Sequence, residues 1–470
     1  MRGRPATDRE EFSGVSLIFI TKYRQSALFC FTAQRNSLNS LRQAKLPQAW
    51  NSPQFVNNTF WHRWLELKDR KSSQIPLAVL LFFTVLGSAF AFSAVPVSAM
   101  VPLPCGTVIT TNTTLKANIG SVSTPCMGTG LVIGASGITL NCAGHTLTGS
   151  GTGVGINITG QDYVVVKNCK VTGFLYGFFL NGTVYNTLTR NTAKSNLWYG
   201  FYLQYSSGNT LTGNTENSPY SDGFYLINSN SNTLKGNTAK GNPTGFSLYF
   251  SPDNTLKKNT ANNGWEGFYL YESSYNTLTG NTANNNTAYY GGFYLLTSNG
   301  NVLTGNTANK NLYDGFFLDE SNGSTLTGNT ANKNRGIGFS SYFSFSNAFT
   351  KNTANNNSAP GFYFYASNSS TLTKNTANKN SYDGFELWFS SGSTFTKNTA
   401  NNNKWDGFDL EFSHNNALTS NTAIKNAQYG YYDLSSGSGT KGTANTYTNN
   451  LCKGNGVAGS NPYSLGAPQP

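Results

Sequence analysis

No stretch of the repetitive part of this sequence places apolar residues at i, i+3, i+4 and i+7, which excludes helical bundles and helical repeats. Charge is sparse: Asp, Glu, Lys and Arg make up 11% of the 470 residues. Twelve of the 32 Lys and Arg and five of the 20 acids lie in the first 99 positions, so a net charge of +12 falls to +5 beyond them. A surplus that thin, spread along a long chain, is no signature of a nucleic-acid partner, and none is expected. Histidine and methionine number three each, and after position 99 only His145, His414, Met100 and Met127 remain. Long apolar runs are missing except for Ile75–Phe92.

That one run follows Lys68-Asp69-Arg70-Lys71 and precedes Val97-Ser98-Ala99. A basic stretch, an apolar core and a small-x-small site make a secretory signal, with cleavage expected after Ala99. Residues 1–74 carry no pattern and read as an unstructured leader or as sequence upstream of the true start. The competing reading of 75–99 is an uncleaved anchor, because 18 apolar-rich residues just reach across a bilayer. Membrane contact is expected through that segment alone, and the rest of the chain is expected outside the cytoplasm. Five cysteines follow it, consistent with an oxidising compartment. Cys105 and Cys126 flank the expected N-terminal cap (100–130) and are placed to pair. Cys142 and Cys169 each follow an Asn of the repeat, so they fall one above the other on adjacent turns, within disulfide range. Cys452 has no obvious mate in the sequence.

What is abundant is repetition. The pattern seen in NTANKNLYDGFFL (306–318) returns with its first Asn at positions from 168 to 421, in steps of 22 to 25 residues. A fixed period of this size marks a stacked repeat. A Leu or Phe stands three residues before the Asn, from Leu188 to Leu418, and an Ala two residues after it, broken only by Glu216. Gly-Phe follows, with Leu two residues beyond the Phe in most copies. Inward residues spaced by two are strand alternation, and the Asn, Thr, Ser and Gly between them form turns. Leucine-rich repeats share the period but need a helical or compact return segment, which is not visible here. A parallel β-helix is therefore expected over 131–455, with 456–470 as a tail. Twelve coils at ~4.8 Å would make a rod of roughly 55–60 Å. Asn columns at the first Asn and five residues later are expected to hydrogen-bond from coil to coil. Lys351, Lys374 and Lys397 share one column and read as a solvated edge.

NTANKNLYDGFFL resembles the N-x-I-x-x-N…N…G-I-x-L repeat of NosD-like, PbH1-type right-handed parallel β-helices. ITLNCAGHTLTG (138–149) resembles the coil with which such domains open. The likeness covers about 131–455 and departs from the pattern in using Phe where Ile is usual. It implies an all-β, right-handed parallel β-helix of about 12–14 coils. Such coils serve copper-maturation factors, carbohydrate-active enzymes and surface proteins, so the fold leaves function open. A NosD-like accessory role in copper handling would need clustered His, Met or Cys, which the sequence does not offer. No metal site is assigned on that ground.

Two functions of different kind remain. Positions one and three after each Phe should point outward, and they include Phe179, Tyr202, Tyr225, Tyr269, Tyr294, Phe317, Tyr363 and Tyr432, then Tyr249, Tyr271, Tyr342, Tyr365 and Trp388. A row of outward rings at ~4.8 Å steps is a platform for sugar rings, and Tyr202, Tyr225, Tyr269, Tyr294, Phe317, Tyr363 and Trp388 are the expected ligand-binding set. Removal of Tyr294 or Tyr363 is expected to leave folding intact. The bland alternative is cross-strand pairing that stiffens the sheet. Near the C-terminal end the same face carries Asp383, Glu386, Asp406, Asp409 and Glu411. Glu386 and Asp409 fall in one column, and with Glu411 they are the candidate catalytic acids of a polysaccharide lyase or glycoside hydrolase. The same oxygens could instead hold Ca²⁺; otherwise no cofactor is expected. Asp383 and Asp406 precede Gly, where Asp favours a turn. No Arg stands in these coils to act as a lyase base. Evenly spaced coils leave little room for groove-building loops, which favours non-catalytic binding of a polysaccharide or envelope polymer by a monomer.

Overall fold

The computed structural model describes residues 102–288, 290–463, 465 and 467–468. The expected leader and signal segment lie outside the described residues. The chain winds as an all-β, right-handed parallel solenoid of about 14 turns with a repeat near 23 residues. A typical turn contains three strands: Thr187–Thr189, Thr192–Lys194 and Tyr199–Gln204. Each pairs in parallel with its copy one turn on, so that Leu188 meets Leu211, Ala193 meets Glu216, and Phe201 meets Phe224. The longer strands build a 16-stranded sheet and the first short strands a 15-stranded sheet. The second short strands form two six-stranded sheets, joined through bridges from Thr260–Thr282 to Thr330–Thr353. Pairing extends past both expected edges: Thr107–Ile109 pairs with Leu131–Ile133, and Tyr429–Asp433 with Ala458–Asn461. Among the described residues the only helical element is the 3₁₀ turn Thr440–Gly442, and no helix is long and apolar enough to cross a membrane.

The apolar columns meet inside. The Gly-Phe rings stack from Phe178 to Tyr431, with Phe178–Phe201 at 4.7 Å and 2° between planes and Phe408–Tyr431 at 5.0 Å and 9°. Leu and Ala columns fill the rest of the interior. Gly before Phe has a steric cause: a Cβ on Gly223 would lie 2.5 Å from the Gly245 carbonyl oxygen and 2.8 Å from Ala239 Cβ. The Gly and Ala columns therefore press against each other across the thin interior. Gly and Phe are both buried, so the inward-outward alternation slips by one residue at that point.

The Asn columns do what their spacing predicts. Asn329 accepts from the Asn306 backbone N–H (2.8 Å) and Nδ2 (3.0 Å), and donates to the Leu303 carbonyl (2.9 Å) and Asn352 Oδ1 (3.0 Å). The second column repeats this, as where Asn334 Oδ1 accepts from the Asn311 N–H at 2.9 Å. Two further internal columns were not foreseen: an Asn column through Asn232 and Asn254, and a Ser column through Ser229 and Ser251. The first ladder position needs a correction of one residue. Asn168 sits at a left-handed corner (φ 56°), and Cys169 takes the ladder place, donating its N–H to Asn191 Oδ1 at 3.0 Å. Cys169 is bonded to Cys142 with Cα atoms 4.7 Å apart, so a disulfide continues the column where Asn ends. Cys105 and Cys126 form the second disulfide. The Lys column is solvent-exposed as expected, but it also occupies the left-handed corner: φ is 56° at Lys351, 57° at Lys374 and 56° at Lys397.

Candidate functional site

The outer face of the 16-stranded sheet carries both candidate sets. Because alternation slips at Gly-Phe, three outward columns line it, at two residues before the Phe and at one and three after it. The rings form one connected band. Tyr176 leads to Phe179 (5.7 Å between centroids), Tyr202 (4.9 Å), Tyr225 (5.5 Å), Tyr249 (5.3 Å) and Tyr269 (5.4 Å). It continues through Tyr294 (5.1 Å), Phe317 (5.1 Å), Tyr342 (5.2 Å) and Tyr363 (5.5 Å). Where the column is interrupted by Ser247 and Ser340, Tyr249 and Tyr342 bridge the gap from the neighbouring column. Most of these rings are half-buried. Tyr225 is pushed up to about 12, chiefly by burial, and Tyr202 is raised for the same first reason, so both phenols stay neutral donors.

One expected platform is not open. Tyr294 is only 4% exposed, because Tyr290 from the 25-residue coil stacks on it at 4.1 Å and 9°. Its hydroxyl reaches Asp319 Oδ2 at 3.5 Å. Trp388 pairs in register with Tyr365 and is linked to the band through Tyr365 and Phe389, meeting Phe389 edge-on at 6.2 Å. Tyr176 and Tyr199 belong to the same aromatic surface, with Tyr199 and Tyr225 stacked at 4.2 Å. Strict alternation counted from Phe turns those two positions inward, so spacing alone does not place them on this face.

The acids gather at the C-terminal end. Glu386 pairs in register with Asp409, and Trp388 with Glu411, so the expected column placement holds. Burial pushes Glu386 up to about 7, with Glu411 adding to it. Burial also lifts Asp409 to about 9, helped by the charges of Asp383, Asp406, Glu386 and Glu411. Asp383 is held well above the ordinary range by burial and then by Glu386, and Asp406 reaches about 6 through burial. The turn role of the two Asp-Gly positions is present as well: Asp383 Oδ1 accepts the Asp406 N–H at 2.7 Å, and Asp406 Oδ1 accepts the Tyr429 N–H at 2.5 Å. Among the described residues, Asp383, Asp406 and Asp409 are the one group of three or more His, Cys, Asp or Glu whose potential ligand atoms converge. His145 is half-buried in an early coil, while His414 is exposed near the far end.

Comparison with known proteins agrees on architecture. The family model described as periplasmic copper-binding protein (NosD) matches residues 128–249 and 218–344, and the one described as right handed beta helix region matches 346–465. No curated protein matches the chain. Among solved structures, a mutant of the periplasmic alginate epimerase AlgG is similar at 16% identity and TM-score 0.36, over 67% of this chain and 76% of that one. The DFA-IIIase of Arthrobacter chlorophenolicus A6 is similar at 12% identity and TM-score 0.35, over 45% and 60%. The Dettilon tailspike protein is similar at 15% identity and TM-score 0.39, over 56% and 58%. Likenesses this distant carry no argument about chemistry.

Proposed function

We propose that this chain, a NosD-like right-handed parallel β-helix, is an extracytoplasmic protein that binds glycan chains along the outer face of its long-stranded sheet. The observation that carries the proposal is the connected aromatic band from Tyr176 to Tyr363, whose rings touch one another across successive coils. Nine coils at ~4.8 Å make a rigid surface about 40 Å long, a match for an extended polymer rather than a small molecule. Half-buried rings keep their orientation without a ligand, so little ordering entropy opposes stacking. Phenol hydroxyls along the band supply donors and acceptors for sugar hydroxyls. The two disulfides fit an oxidising compartment, in line with a place outside the cytoplasm.

A glycan array probed with the purified chain tests this directly. Retention on extended polysaccharides is expected, with Tyr202→Ala and Tyr363→Ala each weakening it about fivefold, the equivalent of ~1 kcal/mol. Absence of retention, or retention indifferent to both variants, would sink the proposal.

One observation favours a second reading. At neutral pH, Asp409 (about 9) is a proton donor while Glu386 (about 7) is partly ionised, and a two-carboxylate hydrolase uses such a split. Asp409 is only 7% exposed, however, which leaves little of its carboxyl open to a glycosidic oxygen. Reducing-end release measured on the array ligands decides between the two. Release abolished by Glu386→Gln would make the chain an enzyme.

A further inference from the structure

The fold shows twice how it accommodates a single carboxylate ahead of Gly-Phe. Asp222 accepts the Thr244 N–H at 3.0 Å with Oδ1 and the Ser247 hydroxyl at 3.2 Å with Oδ2. Asp314 does the same with the Ile337 N–H at 2.8 Å and the Ser340 hydroxyl at 2.7 Å. In each case one oxygen caps the next coil, and the other is satisfied by a serine in the column after the Phe.

Asp383 breaks this arrangement. Its Oδ1 caps the Asp406 N–H as usual, but the residue in the serine's place one coil on is Asp409. An acidic group thus stands where the fold elsewhere puts a hydroxyl, so that in the ionised form an acceptor meets an acceptor. Asp409 is 7% exposed, and its Oδ1 is buried with no hydrogen-bond partner. One oxygen each from Asp383, Asp406 and Asp409 lie within 4.8 Å of one another. Every charge that acts on Asp409 is another carboxylate, with Glu386 and Glu411 adding to the first two. A buried carboxylate with an unpaired oxygen, packed against two others, is costly unless a cation sits among them.

We propose that Asp383, Asp406 and Asp409 form a binding site for a divalent cation of the calcium class. Oxygens bound to Ca²⁺ at 2.3–2.6 Å lie at most about 5 Å apart, so the observed separations admit a common centre. All three donors are hard oxygens, which suits calcium and not copper. Three carboxylates overcompensate a double charge, so the site favours the ion strongly over a neutral occupant. Mg²⁺ demands tight octahedral geometry and keeps its waters, so it binds more weakly in a cluster held by backbone spacing.

The test uses the full-length chain in chelator-treated buffer at pH 7.5, titrated with CaCl₂ by isothermal calorimetry and followed in parallel by thermal melting. Saturable uptake of one Ca²⁺ per chain and a Ca²⁺-dependent rise in Tm are expected, with a smaller response to MgCl₂. Asp409→Ser recreates the Asp222–Ser247 arrangement. It should weaken Ca²⁺ binding at least tenfold while melting without Ca²⁺ no lower than the parent. Asp406→Asn keeps an acceptor for the Tyr429 N–H and should weaken binding likewise, so the test does not hang on one variant folding. Absence of Ca²⁺ binding in the parent would mean that protons alone settle the cluster, and the proposal would fall. Parent-like binding in both variants would overturn it equally, because the ion would then sit elsewhere.

Discussion

Replacing Asn329 by Ala tests whether the internal Asn ladder holds the coils together. The side chain is fully buried and takes part in four hydrogen bonds, two accepted from Asn306 and two donated to Leu303 and Asn352. Not all four partners are orphaned. Asn306 Nδ2 keeps its bond to the Leu278 carbonyl at 2.8 Å, and Asn352 Oδ1 keeps the Asn329 backbone N–H at 2.8 Å. Two groups lose their only side-chain partner: the Asn306 N–H and the Leu303 carbonyl. The Leu303 carbonyl lies within a paired strand, so only the Asn306 N–H is left unsatisfied, and the substitution should destabilise the chain by about 1–3 kcal/mol. Water could relieve this only by entering a closely packed interior. The effect is best read by hydrogen exchange, because a solenoid unfolds in parts and a single melting midpoint averages over them. Faster exchange is expected at Asn306 and its neighbouring coils, with the terminal coils unchanged. A loss below ~0.5 kcal/mol, or exchange that rises evenly along the rod, would refute the ladder as a source of stability.

Four further outcomes are expected. Tyr294→Ala should lower the melting temperature clearly, by the ~3–5 kcal/mol typical of a buried aromatic, whereas Tyr363→Ala should cost far less; equal melts would contradict the assigned burial. Lys374→Gly relieves a left-handed corner (φ 57°) and should stabilise by about 0.5–1 kcal/mol in chemical denaturation, and a loss would show that the side chain makes a contact that matters. Glu216 is raised from its ordinary 4.5 to about 8 by burial, so its protonated form favours the fold. Stability is then full below pH ~4.5 and is lost as pH rises towards 8, by on the order of 5 kcal/mol, and Glu216→Gln should flatten the slope between melts at pH 5 and pH 8.5. An unchanged slope would refute the assignment. Peptide mapping without reductant should recover Cys142 linked to Cys169, and free thiols at both would contradict the disulfide in the ladder column.

The fold was legible because each coil repeats the same physical problem. Strand pairing at one spacing forces like residues above like, so the columns of Leu188, Ala193 and Phe201 could be read as interior before any coordinates. The ladder Asn was legible for the same reason, apart from its first position. There Asn168 mimics the ladder residue by lying one place before Cys169, at a left-handed corner that most other coils fill with Gly or Lys. The Ser and third Asn columns were hidden among ordinary turn formers, because buried and exposed turns draw on the same residue types. Glu216 was visible as the break in the Ala column. Its partners, the Ser221 hydroxyl and the Asn242 amide, were not, since they follow from Ser218 standing where neighbouring coils place the second Asn.

The outer face was only half legible, and the reason is the slip at Gly-Phe. Counting by twos from Phe gives the columns of Tyr202 and Trp388, but turns Tyr176 and Tyr199 inward. In the structure Gly and Phe are buried side by side, so residues two before the Phe return to the outer face. There an Asp acts in two directions at once. One oxygen caps the coil above, and the other meets whatever side chain the next coil presents in the column after its Phe. With Ser in that place the corner is closed, as at Asp314 and Ser340. With Asp409 there the same corner is left with a buried oxygen that has no donor. Sequence alone makes Asp314 and Asp383 equal, each an Asp before Gly-Phe. The residue that separates a turn from a candidate site lies 26 positions further on, at 340 and 409, so only the coil register reveals it.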